Sequence, residues 1–542
     1  MTVMLQHPIL GEIKGNVKDG VVQYLGIKFA TLAHRLADPV PVVDNDGRGI
    51  IDATKFGLSD TECLNLNVTV PAGSQGRKLP VFLFIHGGGF AIGSNSWPHL
   101  DQARIVQFSA QRNLPVVGVI INYRLGHLGF MTSKVLRAAG VKSNRALLDQ
   151  RAALQWIQKS IAGFGSDPDN VTILGESAGA ISSMIHLSAS KPLFKRATCM
   201  SGTTLMRKPM TTEEEENSYN GVLDSLEIKG ENAQEQVKAL LEIPFDKFLG
   251  IPRDVGWAWC VDGDFVSETL THAHLAELSG KTEEAISAIP AAGSVKDLML
   301  GDCQLDTSTV AMFLAPRKSG IGRTFSEFMN EFSAQPAAVE SVLNAYGITP
   351  TISDDKAFLH VLQLGTDIAF LAPVLSYANA WPGNTYVYHF NEPNPWEGPW
   401  KGQTGHVLDV SLLFMNFADT LTPEQKTIGH AFADHFLKFF NGIAPWPAYT
   451  QHKPVSLIIG GSDQSRGPAY VAETRDPKET GRRQEIYSFA QVSEVRPRPI
   501  CSVGKYVTLK IVSEVYNRSR LKFSNVAQFH AQHQNRNYES AK

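Results

Sequence analysis

The chain is 542 residues long, 43% hydrophobic and 19% charged, with a formal net charge of −3. That composition belongs to a globular protein with a large core and excludes a disordered or low-complexity chain. An isoelectric point of about 6.6 offers no attraction toward nucleic acid or an anionic membrane surface, so neither is expected as a partner. The first residues, Met1 to Pro8, lack a basic segment followed by an apolar one, so no signal peptide is expected. No continuous apolar run reaches the roughly 18 residues of a transmembrane helix. The five cysteines (Cys63, Cys199, Cys260, Cys303, Cys501) are scattered and without metal-ligand spacing. They predict free thiols in a reducing compartment, a cytoplasmic location, and no metal or other cofactor.

In chain order, Leu79 to Ile85 is a short continuous apolar run that ends in His86-Gly87-Gly88-Gly89-Phe90. Val116 to Tyr123 is a second such run and Val171 to Leu174 a third. Continuous apolar strands separated by helical stretches predict a parallel sheet covered on both faces. Between the last two, Leu147, Leu154, Trp156 and Ile157 give helical spacing over 146–161, and Asp167-Pro168-Asp169 is read as a break. Ala197 to Met200 and Tyr386 to Phe390 read as further core strands. Residues 205–380 are helix-rich, with apolar stripes such as Phe325-Phe328-Met329-Phe332, and are expected to form helical cap insertions. Glu213 to Glu216 reads as a solvated helix start. The sequons at Asn67 and Asn170 fall on predicted strands and are read as silent. No linker divides residues 1–490, which are expected to be one domain; the polar stretch 491–542 is an unassigned tail.

The chemistry centres on Gly175-Glu176-Ser177-Ala178-Gly179, directly after the third apolar run. A serine on a sharp strand-to-helix turn projects its hydroxyl from the top of a sheet, the geometry of a nucleophile elbow. The Ala178 N–H, at the helix start, is then free to donate to a developing oxyanion. Gly88 and Gly89, in a loop at a strand end, are the other candidate donors, because glycine leaves the amides uncovered. A hydrolase of this kind runs in the order serine, acid, histidine. For the acid, the run Leu298 to Asp306 offers both Asp302 and Asp306. For the base, His406 ends the glycine-rich loop after the Tyr386 to Phe390 strand; His389 competes but sits inside that strand. Asp409 is read as orienting the following helix.

These segments together resemble the type-B carboxylesterase/lipase family, which includes the cholinesterases and the non-enzymatic neuroligins. The resemblance runs from about residue 8 to 450. It is carried by Gly26-Ile27-Lys28-Phe29-Ala30, Glu62 to Val68, the oxyanion loop, Asn122-Tyr123-Arg124-Leu125-Gly126 and Phe164 to Pro168. The elbow, Met200-Ser201-Gly202, Val261-Asp262-Gly263 and the stretch around His406 complete it. It implies an α/β-hydrolase fold with a mixed, mostly parallel central sheet, helices on both faces and an inserted cap. The family motif G-x-x-x-D-E-G aligns with Gly301 to Thr307 and puts the acid at Asp306, an aspartate where the family usually has glutamate. The departures are informative. No cysteine precedes Cys63 to close the family's N-terminal disulfide, and Ala53 to Glu62 is too short for the loop it encloses. That loop carries the choline-binding tryptophan in cholinesterases and the lid in lipases, so both specialisations drop in rank and an intracellular, fungal-type branch is implied.

The expected activity is hydrolysis of small-molecule carboxylic esters, including secondary-metabolite or xenobiotic esters, through an acyl-enzyme at Ser177, with thioesters or lactones as alternatives on the same triad. A catalytically silent binding protein on this fold is the rival class. Trp257 and Trp259 are read as lining either the acyl side of the pocket or the core.

Overall fold

The computed structural model describes residues 1–474 apart from 45–48, 55–58, 231, 253–254, 333–335 and 462–463. The tail expected over 491–542, Cys501 and part of the Ala53 to Glu62 loop lie outside the described residues.

Apolar strands alternate with amphipathic helices along the chain, and the fold follows from that pattern. In spatial order, the strands Val117–Ile121, Leu79–Ile85, Ser166–Glu176, Arg196–Met200, Asp297–Cys303, Asn384–Phe390 and Val455–Ile459 run parallel. Antiparallel strands flank this centre: Asn65–Pro71 pairs with Val117–Ile121, and Ala469–Glu473 with Val455–Ile459. The register brings the carboxyl ends level. Gly175 lies opposite Ile85, Glu176 opposite Met200, Met200 opposite Gly301, and Asp302 opposite His389. The loops that leave this edge therefore converge, which is where open α/β sheets build their sites.

Side-chain alternation splits the core into two layers. Val81, Leu83, Ile85 and Ile173 pack with Leu154, Trp156 and Ile181 on one face. Phe82, Phe84, Leu174 and Met299 pack with Phe414, Phe436 and Phe440 on the other. Phe82 stacks on Phe440 with ring centroids 4.9 Å apart, and Phe84 meets Phe414 edge-on at 5.1 Å. Each such ring contributes about 1.5–3 kcal/mol on burial.

The helix Arg145–Ser160 matches its expected span within a residue. One reading needs correction. Asp167-Pro168-Asp169 does not end the preceding structure: it lies inside the Ser166–Glu176 strand, where a register shift between Ser166 and Val171 absorbs the proline. The helix-rich stretch 205–380 is two groups of helices, separated by the core strand Asp297–Cys303. One helical run, Asp354–Ala380, is long and apolar enough to cross a membrane by length and composition. Most of its apolar window is buried in this fold, as in the core helix of a globular protein. Polar residues such as His360, Gln363, Thr366 and Asp367 interrupt it, so a search for one unbroken apolar run does not find it.

Glu213 to Glu216 does open a helix, Thr212–Ser225, with Thr211 and Glu214 forming a capping box. Glu215 is nevertheless buried and pairs with Arg137 at 2.8 Å. Both sequon asparagines are engaged: Asn67 bonds Gly26 and Asn95, and Asn170 accepts from Arg196.

Candidate active site

Ser177 follows the last residue of the Ser166–Glu176 strand and precedes the helix Ala178–His186. Its backbone, at φ 55° and ψ −120°, is strained, a conformation that costs about 1–3 kcal/mol and persists only where surroundings enforce it. Here the Ser177 N–H donates to Met200 O at 2.9 Å, and the Ile181 N–H donates to Ser177 O at 3.0 Å. Close packing does the rest. A Cβ on Gly175 would lie 2.1 Å from Gly179 O, and one on Gly179 would lie 1.9 Å from Ile85 O. Only glycine lets strand and helix meet at this angle.

The loop after Ile85 wraps the same point. Gly88, Gly89 and Phe90 all have positive φ (99°, 64° and 61°), a tight turn that the two glycines adopt without the steric cost of a Cβ. Gly88 O accepts from the Ala91 and Ile92 N–H groups, Phe90 O accepts from the Gly126 N–H at 2.7 Å, and Gly89 O accepts from Arg207 at 3.3 Å. Among the described residues, the N–H groups of Gly88, Gly89 and Ala178 donate to no protein acceptor. His86 anchors the loop from beneath, stacked on Tyr123, and burial pushes its imidazole down to about 4, so it is neutral.

The two acid candidates and the two histidines sort into separate pairs. His389 Nδ1 bonds Asp302 Oδ1 at 2.8 Å across adjacent strands, and both are buried. His406 Nδ1 bonds Asp306 Oδ1, also at 2.8 Å, while Asp306 Oδ2 accepts from the Cys303 N–H. The His406 N–H donates to Ser308 Oγ at 3.0 Å, and Phe370 meets the imidazole edge-on at 5.6 Å. Phe370 belongs to a single π-helical turn, Asp367–Leu371, within the long apolar helix. Thr307, next to Asp306, is tied to that helix through Thr366 Oγ1 and Leu362 O. Asp409 is a structural anchor as expected: it accepts from Tyr388 Oη and the Val410 N–H.

Glu176 was missed by sequence reasoning. Its Oε1 lies 3.0 Å from His406 Nε2, within ion-pair range but without hydrogen-bond alignment. The only signal was its place beside Ser177 in the motif. A Cβ on Gly87 would lie 2.3 Å from Glu176 Oε2 and 2.9 Å from Ser177 Cβ, so glutamate, serine and glycine-rich loop meet at one point. Burial raises the Glu176 carboxyl to about 8, partly offset by His406. Burial opposes charge on His406, but Glu176 and Asp306 outweigh it and raise the imidazole to about 9. Burial likewise raises Asp306, against the His406 hydrogen bond.

The tryptophans divide. Trp259 is buried and lines a small cavity of about 60 Å³ with Met184, Val266 and Tyr377. Trp257 is partly buried, and Arg207 bonds its carbonyl as well as that of Gly89. The described cysteines are free, and no group of three or more histidine, cysteine or acidic side chains is spaced to hold a metal among the described residues.

A parallel sheet with a serine turn, a glycine-rich loop and an acid–histidine pair at its carboxyl edge defines an α/β-hydrolase. Residues 2–464 match the Carboxylesterase family, and the chain belongs to it. It is a carboxylic ester hydrolase. It is 26% identical over 531 residues to the para-nitrobenzyl esterase of Bacillus subtilis (strain 168), covering 90% of this chain and 99% of that protein. It is 28% identical over 430 residues to Lipase 4 of Diutina rugosa, covering 72% of each chain. Among solved structures, the Geobacillus stearothermophilus carboxylesterase EST55 superposes with a TM-score of 0.70 at 26% identity, covering 88% of this chain and 99% of the other.

Proposed function

We propose that the protein hydrolyses small carboxylic esters through an acyl-enzyme formed on Ser177, with His406 as base, Asp306 as its partner, and Gly88, Gly89 and Ala178 as oxyanion donors. The observation that carries this reading is the His406 ring, held at Nδ1 by Asp306 with Nε2 turned toward the Glu176–Ser177 turn. In the reaction, Ser177 Oγ bonds the ester carbonyl carbon as its proton passes to His406 Nε2. The carbonyl oxygen becomes an oxyanion facing the three N–H groups, a donor of this kind being worth about 2.7–4 kcal/mol. The C–O bond to the alcohol then breaks, and the His406 proton leaves with the alkoxide. Water repeats the sequence on the acyl-serine and restores both residues.

The relative spanning 90% of this chain bears the name para-nitrobenzyl esterase, which supports small esters as the substrate class. Labelling with a fluorophosphonate probe tests the reading. Wild-type protein is expected to take up one equivalent at Ser177, and S177A none. Folded wild-type protein that takes up no label overturns it.

A further inference from the structure

Thr307 closes a hydrogen-bond circuit between the loop that carries Asp306 and the helix Asp354–Thr366 behind it. Its Oγ1 donates to Leu362 O at 2.5 Å, which uses the single proton of that hydroxyl. Thr366 Oγ1, 2.8 Å away, therefore donates to Thr307 Oγ1. In turn it accepts from the Thr307 N–H at 3.1 Å. The circuit uses every donor it contains. Both threonines are buried, and a Cβ on Gly365 would lie 3.1 Å from Thr307 Cγ2, so the helix presents a glycine where the threonine methyl docks.

The same helical run reaches both members of the acid–base pair. Leu362 and Thr366, four residues apart, share the face that holds Thr307, and Phe370, four residues further, meets the His406 ring. On its other side the acid loop is joined to the base loop. The Leu305 N–H donates to Thr404 O at 2.8 Å, and Ser308 Oγ accepts from the His406 N–H at 3.0 Å. Both Asp306 oxygens are engaged, by His406 Nδ1 and by the Cys303 N–H, each at 2.8 Å. An aspartate has little reach of its own, so the place of its carboxylate follows the backbone that Thr307 anchors. Asp306-Thr307 also aligns with the Glu-Gly of the family motif. The shorter acid must sit closer to the imidazole by about one C–C bond, roughly 1.5 Å, and the residue beside it has a hydroxyl that glycine lacks.

We infer that Thr307 is a positioning residue: its circuit with Thr366 and Leu362 holds the acid loop where the short Asp306 side chain reaches His406. The inference rests on the acyl-enzyme reading above, in which Asp306 is the partner of His406, and adds the part of the fold that places that acid. The test is p-nitrophenyl butyrate hydrolysis by T307S, T307V and T366V. T307S keeps the hydroxyl and should retain the kcat of the wild type. T307V keeps the shape without the hydroxyl, and T366V removes its partner without touching the acid loop. A displacement of about 1 Å can cost about 10²-fold, so each valine variant should lose about tenfold to hundredfold in kcat with KM little changed. Burial lowers the His406 imidazole, while Glu176, Asp306 and Asp409 raise it. An Asp306 that drifts away, with the other two carboxyls unaltered, should therefore carry the rising limb of kcat/KM toward acid. Where a valine variant does not fold, its alanine counterpart decides. Folded T307V and T366V with wild-type kcat and an unmoved limb, even with a lower urea midpoint, overturn the inference. So does a T307S as impaired as T307V. No turnover by folded wild-type protein, or a D306N variant as active as the wild type, overturns the reading beneath it.

Discussion

Glu176 Oε1 lies 3.0 Å from His406 Nε2, so the imidazole at the centre of this site has a carboxyl group on each side. Asp306 bonds Nδ1 of the ring, and Glu176 stands beside Nε2, the nitrogen that exchanges a proton with Ser177 in the proposed mechanism. An imidazole acts as a base only when neutral. With His406 raised to about 9, kcat/KM should climb from neutral pH and level off in the alkaline range.

Glu176→Gln tests that coupling. Removing a carboxylate from beside His406 lowers the imidazole pKa, so the rising limb of kcat/KM should move toward acid. A charge this close is worth about one to three pH units. The measurement is the pH profile of p-nitrophenyl butyrate hydrolysis in both proteins. A limb that stays in place or moves toward alkali contradicts the coupling.

The pairing of the two aspartates predicts unequal consequences. Asp306→Asn keeps the shape but loses the charge that holds the His406 tautomer, and kcat should fall by about 10³–10⁴-fold. Asp302→Asn disturbs the buried pair with His389 instead, so its effect should appear in the urea midpoint, with kcat changed less than about tenfold. Steady-state kinetics and equilibrium unfolding on both variants separate the two roles, and the reverse pattern would show Asp302 to be the acid.

Arg124 and Asp149 form a bidentate pair that is 1% and 0% exposed. Arg124→Ala leaves the Asp149 carboxylate buried without its cation and should destabilise the protein by about 3–5 kcal/mol. Replacing both, as Arg124→Met with Asp149→Leu, should recover most of that loss. Urea unfolding measures it, and a double variant no more stable than the single would show that the apolar pair does not substitute for the ionic one.

Much of this arrangement was legible in the residues because it rests on local rules. The unbroken apolar run Leu79 to Ile85 announced a strand covered on both faces, and the glycines around Ser177 announced a close strand–helix approach. The residues alone left Asp302 and Asp306 both open, and only the family resemblance put the acid at Asp306, the one that pairs with His406. Four positions apart in one segment, they differ only in what lies across from them. The strand register that sets Asp302 against His389 is a long-range fact. Glu176 was hidden for the same reason: its role comes from a histidine that arrives from a distant loop. Trp257 and Trp259 read alike because two positions apart in an irregular loop carry no periodicity, yet the carbonyl of one is tied through Arg207 to Gly89 and the other lines a separate cavity.

The central claim is a covalent bond between substrate and Ser177, and rapid mixing with p-nitrophenyl butyrate reads it directly. The account predicts a burst of p-nitrophenol approaching one equivalent, with acid-quenched protein heavier by one butyryl group on the peptide that contains Ser177. A linear release without adduct, together with full activity in S177A, would contradict it.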